Sequence, residues 1–159
     1  MSAHNSIIIL GAGRALQFEA KANEAGIYPG HLVERSSDTT FLRCNANGTA
    51  AAPLIAIENS INGKDKDTVY ANGETVYARA LVPGMEVQVK VAPSASAIVY
   101  GDLLTPDGDG GVKKAVAASQ LGSGVYTYTP ASVSMFRAIE AVDNSANAAT
   151  SVFIKAQKI

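Results

Sequence analysis

Between residues 85 and 92 the chain reads MEVQVKVA. Met85, Val87, Val89 and Val91 face one way and Glu86, Gln88 and Lys90 the other, which is the period of a half-buried strand. TVYARALV at 75 to 82 and SVFIKAQKI at 151 to 159 carry weaker versions of the same alternation. Short runs rich in Val, Ile, Thr and Tyr lie between closely spaced marks of Gly, Pro, Asn and Asp: Gly26, Pro29-Gly30, Asn45 to Gly48, Asn62-Gly63, Asn72-Gly73, Pro83-Gly84, Pro106 to Gly111, Gly122 to Gly124 and Pro130. The pattern predicts an all-β fold, a small β-barrel or β-sandwich of short strands with at most one or two short helices.

Local chemistry sharpens some of the turns. Asn72-Gly73 sits between two apolar runs, a hairpin signal because both residues accept positive φ. Pro83-Gly84 suits the two central positions of a type II turn. Two stretches carry a helix option. ALQFEAKANEAG at 15 to 26 has good helix formers ahead of a glycine, and KKAVAASQLG at 113 to 122 has room for a turn or two. Both read equally well as extended chain, since Phe18, Ala20 and Ala22 also alternate with Gln17, Glu19 and Lys21.

The first 25 residues differ in character, with one strongly apolar run, SIIIL, followed by a mixed polar segment. They predict an N-terminal arm over 1 to 25 ahead of a single barrel or sandwich domain over 26 to 159. An apolar strand on such an arm is an edge that another polypeptide would cover. The candidate partner interface is therefore Ser6, Ile7, Ile8, Ile9, Leu10, Gly11, Gly13 and Arg14, with Gly11 and Gly13 supplying the bend.

Composition narrows the class of function. Thirteen basic against fourteen acidic residues, with neither sign gathered into a block, leaves no electrostatic footprint for nucleic acid. No apolar run approaches the roughly 20 residues of a membrane span, and the first residues lack the pattern of a signal peptide, so synthesis in the cytoplasm is expected. One cysteine, Cys44, cannot form an internal disulfide, and a small buried or half-buried thiol is its expected state.

Candidate chemistry is thin. GAGRAL after SIIIL resembles a dinucleotide fingerprint, but Leu16 stands where a third small residue belongs, and no β-α-β unit follows. In TPDGDGG the spacing of Asp107 and Asp109 suggests a calcium loop, yet Gly111 and Ala118 occupy positions that need oxygen ligands, so a hairpin tip is expected. His4 and His31 have no partners at a catalytic spacing, and Glu58, Glu74, Glu86 and Glu140 are scattered. No catalytic residue, cofactor, metal or small-molecule substrate is expected.

A series of segments in order carries a family resemblance: IIILGAGR near the start, AGIYPGHLVER at 25 to 35, APLIAIENSINGKDKDTVYANGETVYARALVPGMEVQVKVA at 52 to 92, IVYGDLL at 98 to 104 followed by DGDGGVKKA, and RAIEAVDNSANAATSVFIKAQKI at 137 to 159. Through them the chain resembles the small head decoration, or capsid cement, proteins of tailed bacteriophages. It departs from other members at GAGRAL, where a Lys-Gly-Asp-Pro type of turn is common. The resemblance implies a non-enzymatic virion protein on the outer surface of the capsid, bound between subunits of the major capsid protein and stabilising the expanded, DNA-filled head. It also implies self-association, as a homotrimer or else a dimer, with no nucleic-acid or membrane partner.

Two other non-catalytic readings compete. An adhesion or carbohydrate-binding β-domain would need aromatic platforms, and the chain has no Trp. A lipoyl-type carrier would need a lysine on a hairpin tip, whereas Lys113 and Lys114 follow the DGDGG tip.

Overall fold

The computed structural model describes residues 6–11, 13, 15–49, 54–116, 132–147 and 151–159, together with the backbone of 119–120 and 128–129. Within them the chain is all-β, with a short 3-10 turn at Ser60–Asn62. The strands are β1 (Ile8–Leu10), β2 (Gln17–Ala22), β3 (Leu32–Ser37), β4 (Thr40–Arg43), β5 (Leu54–Ile57), β6 (Thr75–Ala80), β7 (Glu86–Val91), β8 (Leu103–Pro106), β9 (Val112–Lys114), β10 (Ser119–Gln120), β11 (Tyr128–Thr129), β12 (Phe136–Ala138) and β13 (Val152–Lys158).

Two closed sheets organise them. The first runs β1-β7-β13-β12-β8-β9, and a parallel contact of Val91 with Val112 returns β9 to β7 and closes the circuit. The second is a five-stranded barrel, β2-β4-β3-β5-β6. Strands β10 and β11 pair only with each other among the described residues.

The sheets share a wall, because the strand period sends neighbouring side chains of β3 and β5 in opposite directions. Leu32 and Ile55 join the larger core with Val87, Val89, Val91, Phe136 and Ile154. Val33, Leu54 and Ala56 join the smaller one with Phe41, Tyr70 and Val76. Burial of such a side chain contributes about 1.5–3 kcal/mol, so these strands stabilise both cores at once. Tyr70 is fully buried and donates its hydroxyl to the Ile57 carbonyl at 2.8 Å, which satisfies its one polar atom.

The predicted alternation of Met85 to Val91 holds: all four apolar residues are buried in the larger core. Gln88 and Lys90 do face the other way, yet that face is covered too, and both are buried. Pro83-Gly84 forms the expected turn, with Gly84 at φ +85° and the Met85 N–H donating to the Val82 carbonyl at 3.1 Å. Asn72-Gly73 also turns the chain, but it does not make a hairpin. Gly73 has positive φ and Asn72 does not, so the turn lacks the type I′ twist that pairs flanking strands. Tyr70 instead bridges Ile27, and β6 pairs with β2 and β5.

The stretch at 15 to 26 resolves to strand, with Ala20 and Ala22 buried and Gln17, Glu19 and Lys21 outside. Of the second helix option, Lys113 and Lys114 lie in β9 and Ser119–Gln120 in β10, while residues 117–118 and 121–122 lie outside the described residues. Asp107 to Gly111 is the hairpin tip joining β8 to β9, where the Asp107 carboxylate accepts the N–H groups of Asp109 at 2.8 Å and Gly111 at 2.9 Å.

The segment expected as an arm is woven into both sheets. β1 lies antiparallel on β7, with Ile8 opposite Val87 and Leu10 opposite Glu86 around a bulge. β2 is a stave of the second barrel between β6 and β4. The cause is packing: Ile7 is 0% exposed in the larger core, and small alternate residues let β2 close the smaller one.

Candidate functional site

The described members of the predicted interface do not share one environment. Ser6 is anchored by its hydroxyl, which donates to Glu58 Oε1 at 2.5 Å, while the Ile7 N–H donates to Glu58 Oε2 at 3.1 Å. Ile7 is thereby withdrawn from any partner. Ile8 and Ile9 are half-buried, and Leu10 is 60% exposed. Gly11 bends the chain at φ +88°, where an added Cβ would come within 3.2 Å of the Met85 Cα. Gly13 is exposed, and Arg14 and His4 lie outside the described residues.

β1 is the outer strand of its sheet. The Gln88 N–H donates to the Ile7 carbonyl at 2.8 Å, so Ile8, one residue on, turns its own N–H and C=O away from β7. Beside the strand lies a groove of about 360 Å³ lined by Ser6, Ile8, Ile9, Leu10, Gly11, Ile57, Glu58 and Arg79. With Leu10 and Leu16 exposed, Leu16 at 68%, this is an apolar-rimmed edge that suits an added strand. Its shortness limits the ladder to a bond or two.

A second exposed apolar area lies outside the predicted interface. Val99, Tyr100 (74% exposed), Leu103, Val116 and Val133 are tied together by backbone bonds: Asp102 N–H to the Val99 carbonyl, Ala115 N–H to Leu103, Ser132 N–H to Val116. The signal was present in IVYGDLL. Adjacent leucines on a strand point in opposite directions, and only Leu104 reaches the core.

A cavity of about 220 Å³ lies between the Tyr28–His31 turn, β7 and the β8–β9 hairpin tip. His31 is 6% exposed and accepts the Tyr28 N–H on Nδ1 at 3.3 Å. Burial first, then the charges of Lys90 and Arg43, hold its pKa down at about 3, so it is neutral near pH 7. Arg43 bonds Glu24 at 3.2 Å and Asp109 at 2.7 Å. Lys90 is 7% exposed, with Nζ 4.1 Å from the Phe153 ring centroid and 4.9 Å from that of Tyr28. Burial holds this ammonium below the usual lysine range, opposed by Asp67 and helped by Lys66. Cys44 is buried, as expected. Among the described residues no group of three His, Cys, Asp or Glu side chains is placed to hold a metal ion, and no helix is long and apolar enough to cross a membrane.

No protein-family model matches this chain, and no curated protein matches it. Among solved structures the fold is similar to the head fiber gp8.5 N base in bacteriophage phi29, with a TM-score of 0.52 covering 91% of this chain and 94% of that one at 15% sequence identity.

Proposed function

We propose that the chain is a structural protein of a bacteriophage virion, bound to the outer surface of the capsid between neighbouring subunits of the major capsid protein, where it stabilises the DNA-filled head. The observation that carries the virion role is the fold likeness to a phage head-fiber base, which spans nearly the full length of both chains. The finer placement, on the capsid surface between subunits, rests on the decoration-protein resemblance of the sequence. The role needs binding surface rather than a catalytic centre, and we read the chain as non-enzymatic.

The mechanism is mechanical. A shell pressed from within by packed DNA fails where subunits separate, and a clamp bridging them adds its binding free energy to that separation. A homotrimer engages several subunits at once, so later contacts become intramolecular and weak sites sum to firm attachment. The β1 edge, with Leu10, Leu16 and the groove beside Ile8, is the surface we assign to the capsid. Ile7 and Ser6 hold that edge from behind.

Mass spectrometry and electron microscopy of virions produced from the genome that carries this gene test the reading. The expected result is the chain at a copy number matching a class of site on the shell, with density outside the capsid. Virions that lack the chain overturn it.

A further inference from the structure

We infer that the cavity lined by His31 and Lys90 is a binding site for a single carboxylate group. The inference stands apart from the virion reading, since it rests on unused hydrogen-bond donors rather than on fold. Lys90 projects from the outer face of β7 opposite Phe153 of β13, under the Tyr28 ring. Its ammonium has three donors, and among the described residues it meets only the faces of aromatic rings. Ring faces stabilise a cation but accept no full hydrogen bond. Burial of the side chain disfavours its charge, and Asp67 favours it only from a distance.

His31 supplies a second unused donor. Its Nδ1 accepts from the Tyr28 N–H, and the ring is neutral, so the proton sits on Nε2. Among the described residues that Nε2–H has no acceptor. His31 and Lys90 line the same cavity and are close enough that the lysine charge depresses the imidazole. The two residues that carry these donors thus line one space of about 220 Å³.

The remaining charges select the ligand. Arg43 is occupied by Glu24 and Asp109, and the Asp107 carboxylate is engaged by N–H groups of its own loop. Among the described residues Lys90 is the cation of the lining that has no ion pair, so a ligand group with one negative charge is its complement. Asp107 and Asp109 line the same cavity and repel a multiply charged phosphate more strongly than a singly charged carboxylate. Two oxygens of a carboxylate match two donors, and Ser151 also lines the cavity. The carboxylate arrives on a free small acid or on a glutamate or aspartate side chain of a partner polypeptide.

The test is an NMR titration of the full chain, following the His31 ring and the Lys90 ammonium. Acetate is compared with phosphate and chloride at constant ionic strength, and a short peptide with one glutamate with its glutamine counterpart. Saturable shifts of both side chains with acetate, about tenfold weaker in Lys90→Met, are expected. A glutamate peptide that binds more tightly than acetate assigns the site to a polypeptide partner, and equal or weaker binding assigns it to a free acid. Lys90→Met is checked for a native thermal transition, and His31→Gln provides a second variant should it fail to fold. The absence of a saturable shift with either acetate or the glutamate peptide overturns the proposal, as does binding unchanged in the variant that folds.

Discussion

Glu58 and Ser6, 52 positions apart, are joined by a hydrogen bond of 2.5 Å, and the other oxygen of the same carboxylate accepts the N–H of Ile7. One side chain at the end of β5 therefore fixes where β1 begins. Glu58→Ala removes two acceptors and leaves the Ile7 N–H short of a partner. A loss of about 1–3 kcal/mol is expected, with hydrogen exchange of the Ile8–Leu10 amides accelerating more than that of β13.

Ile7 distinguishes a built-in strand from a detachable arm. It is fully buried among Val87, Met85 and Ile55, so Ile7→Ala leaves a cavity and costs about 2–5 kcal/mol in a denaturant titration. A change below half a kcal/mol (roughly the surface level) would show that β1 leaves the core.

Leu10 and Leu16 are exposed, and their replacement separates attachment from folding. Leu10→Glu together with Leu16→Glu is expected to shift stability by about 0.5 kcal/mol or less each and to lower occupancy on virions strongly. Truncation of the first twenty residues is a poorer test, since it removes β1 and most of β2 and opens a barrel. Full occupancy by the double variant would place the contact elsewhere, with Tyr100 and Leu103 the next surface to substitute.

Gly30 and Gly63 both have positive φ but differ in what surrounds them. An alanine Cβ at Gly30 would lie 2.6 Å from Phe153 Cε1 and 3.1 Å from the Gln88 carbonyl oxygen, whereas at Gly63 it meets nothing within 4 Å. Gly63→Ala carries backbone strain alone, about 1–2 kcal/mol. Gly30→Ala adds a clash at the seam between β7 and the Tyr28–His31 turn, and thermal melts should rank it clearly lower.

His31 makes the protein acid-sensitive at mild pH. Burial first, then Lys90 and Arg43, lower its pKa from 6.5 to about 3. A base depressed in the folded state takes up a proton on unfolding, so stability is complete above about pH 6.5 and falls as pH drops toward 3. The slope approaches about 1.4 kcal/mol per pH unit in that window. Denaturant midpoints measured at about pH 7.5 and about pH 5 should differ for the native chain and converge for His31→Gln. Bound carboxylate would shrink the difference by favouring the protonated ring.

The pattern of the chain determined its all-β class, the inward set Met85, Val87, Val89 and Val91, the Pro83-Gly84 turn and the β8–β9 tip, because strand period and turn chemistry act over a few neighbouring residues. Tertiary structure decided which strands meet. The Asn72-Gly73 turn joins no hairpin because Tyr70 finds Ile27, and the residues expected as an arm became β1 and β2 because Ile7, Ala20 and Ala22 complete two cores. The buried state of Lys90 and His31 was likewise absent from local pattern. A polar residue on the outer face of a strand reads as solvated until another segment, here the Tyr28–His31 turn and Phe153, is brought over it.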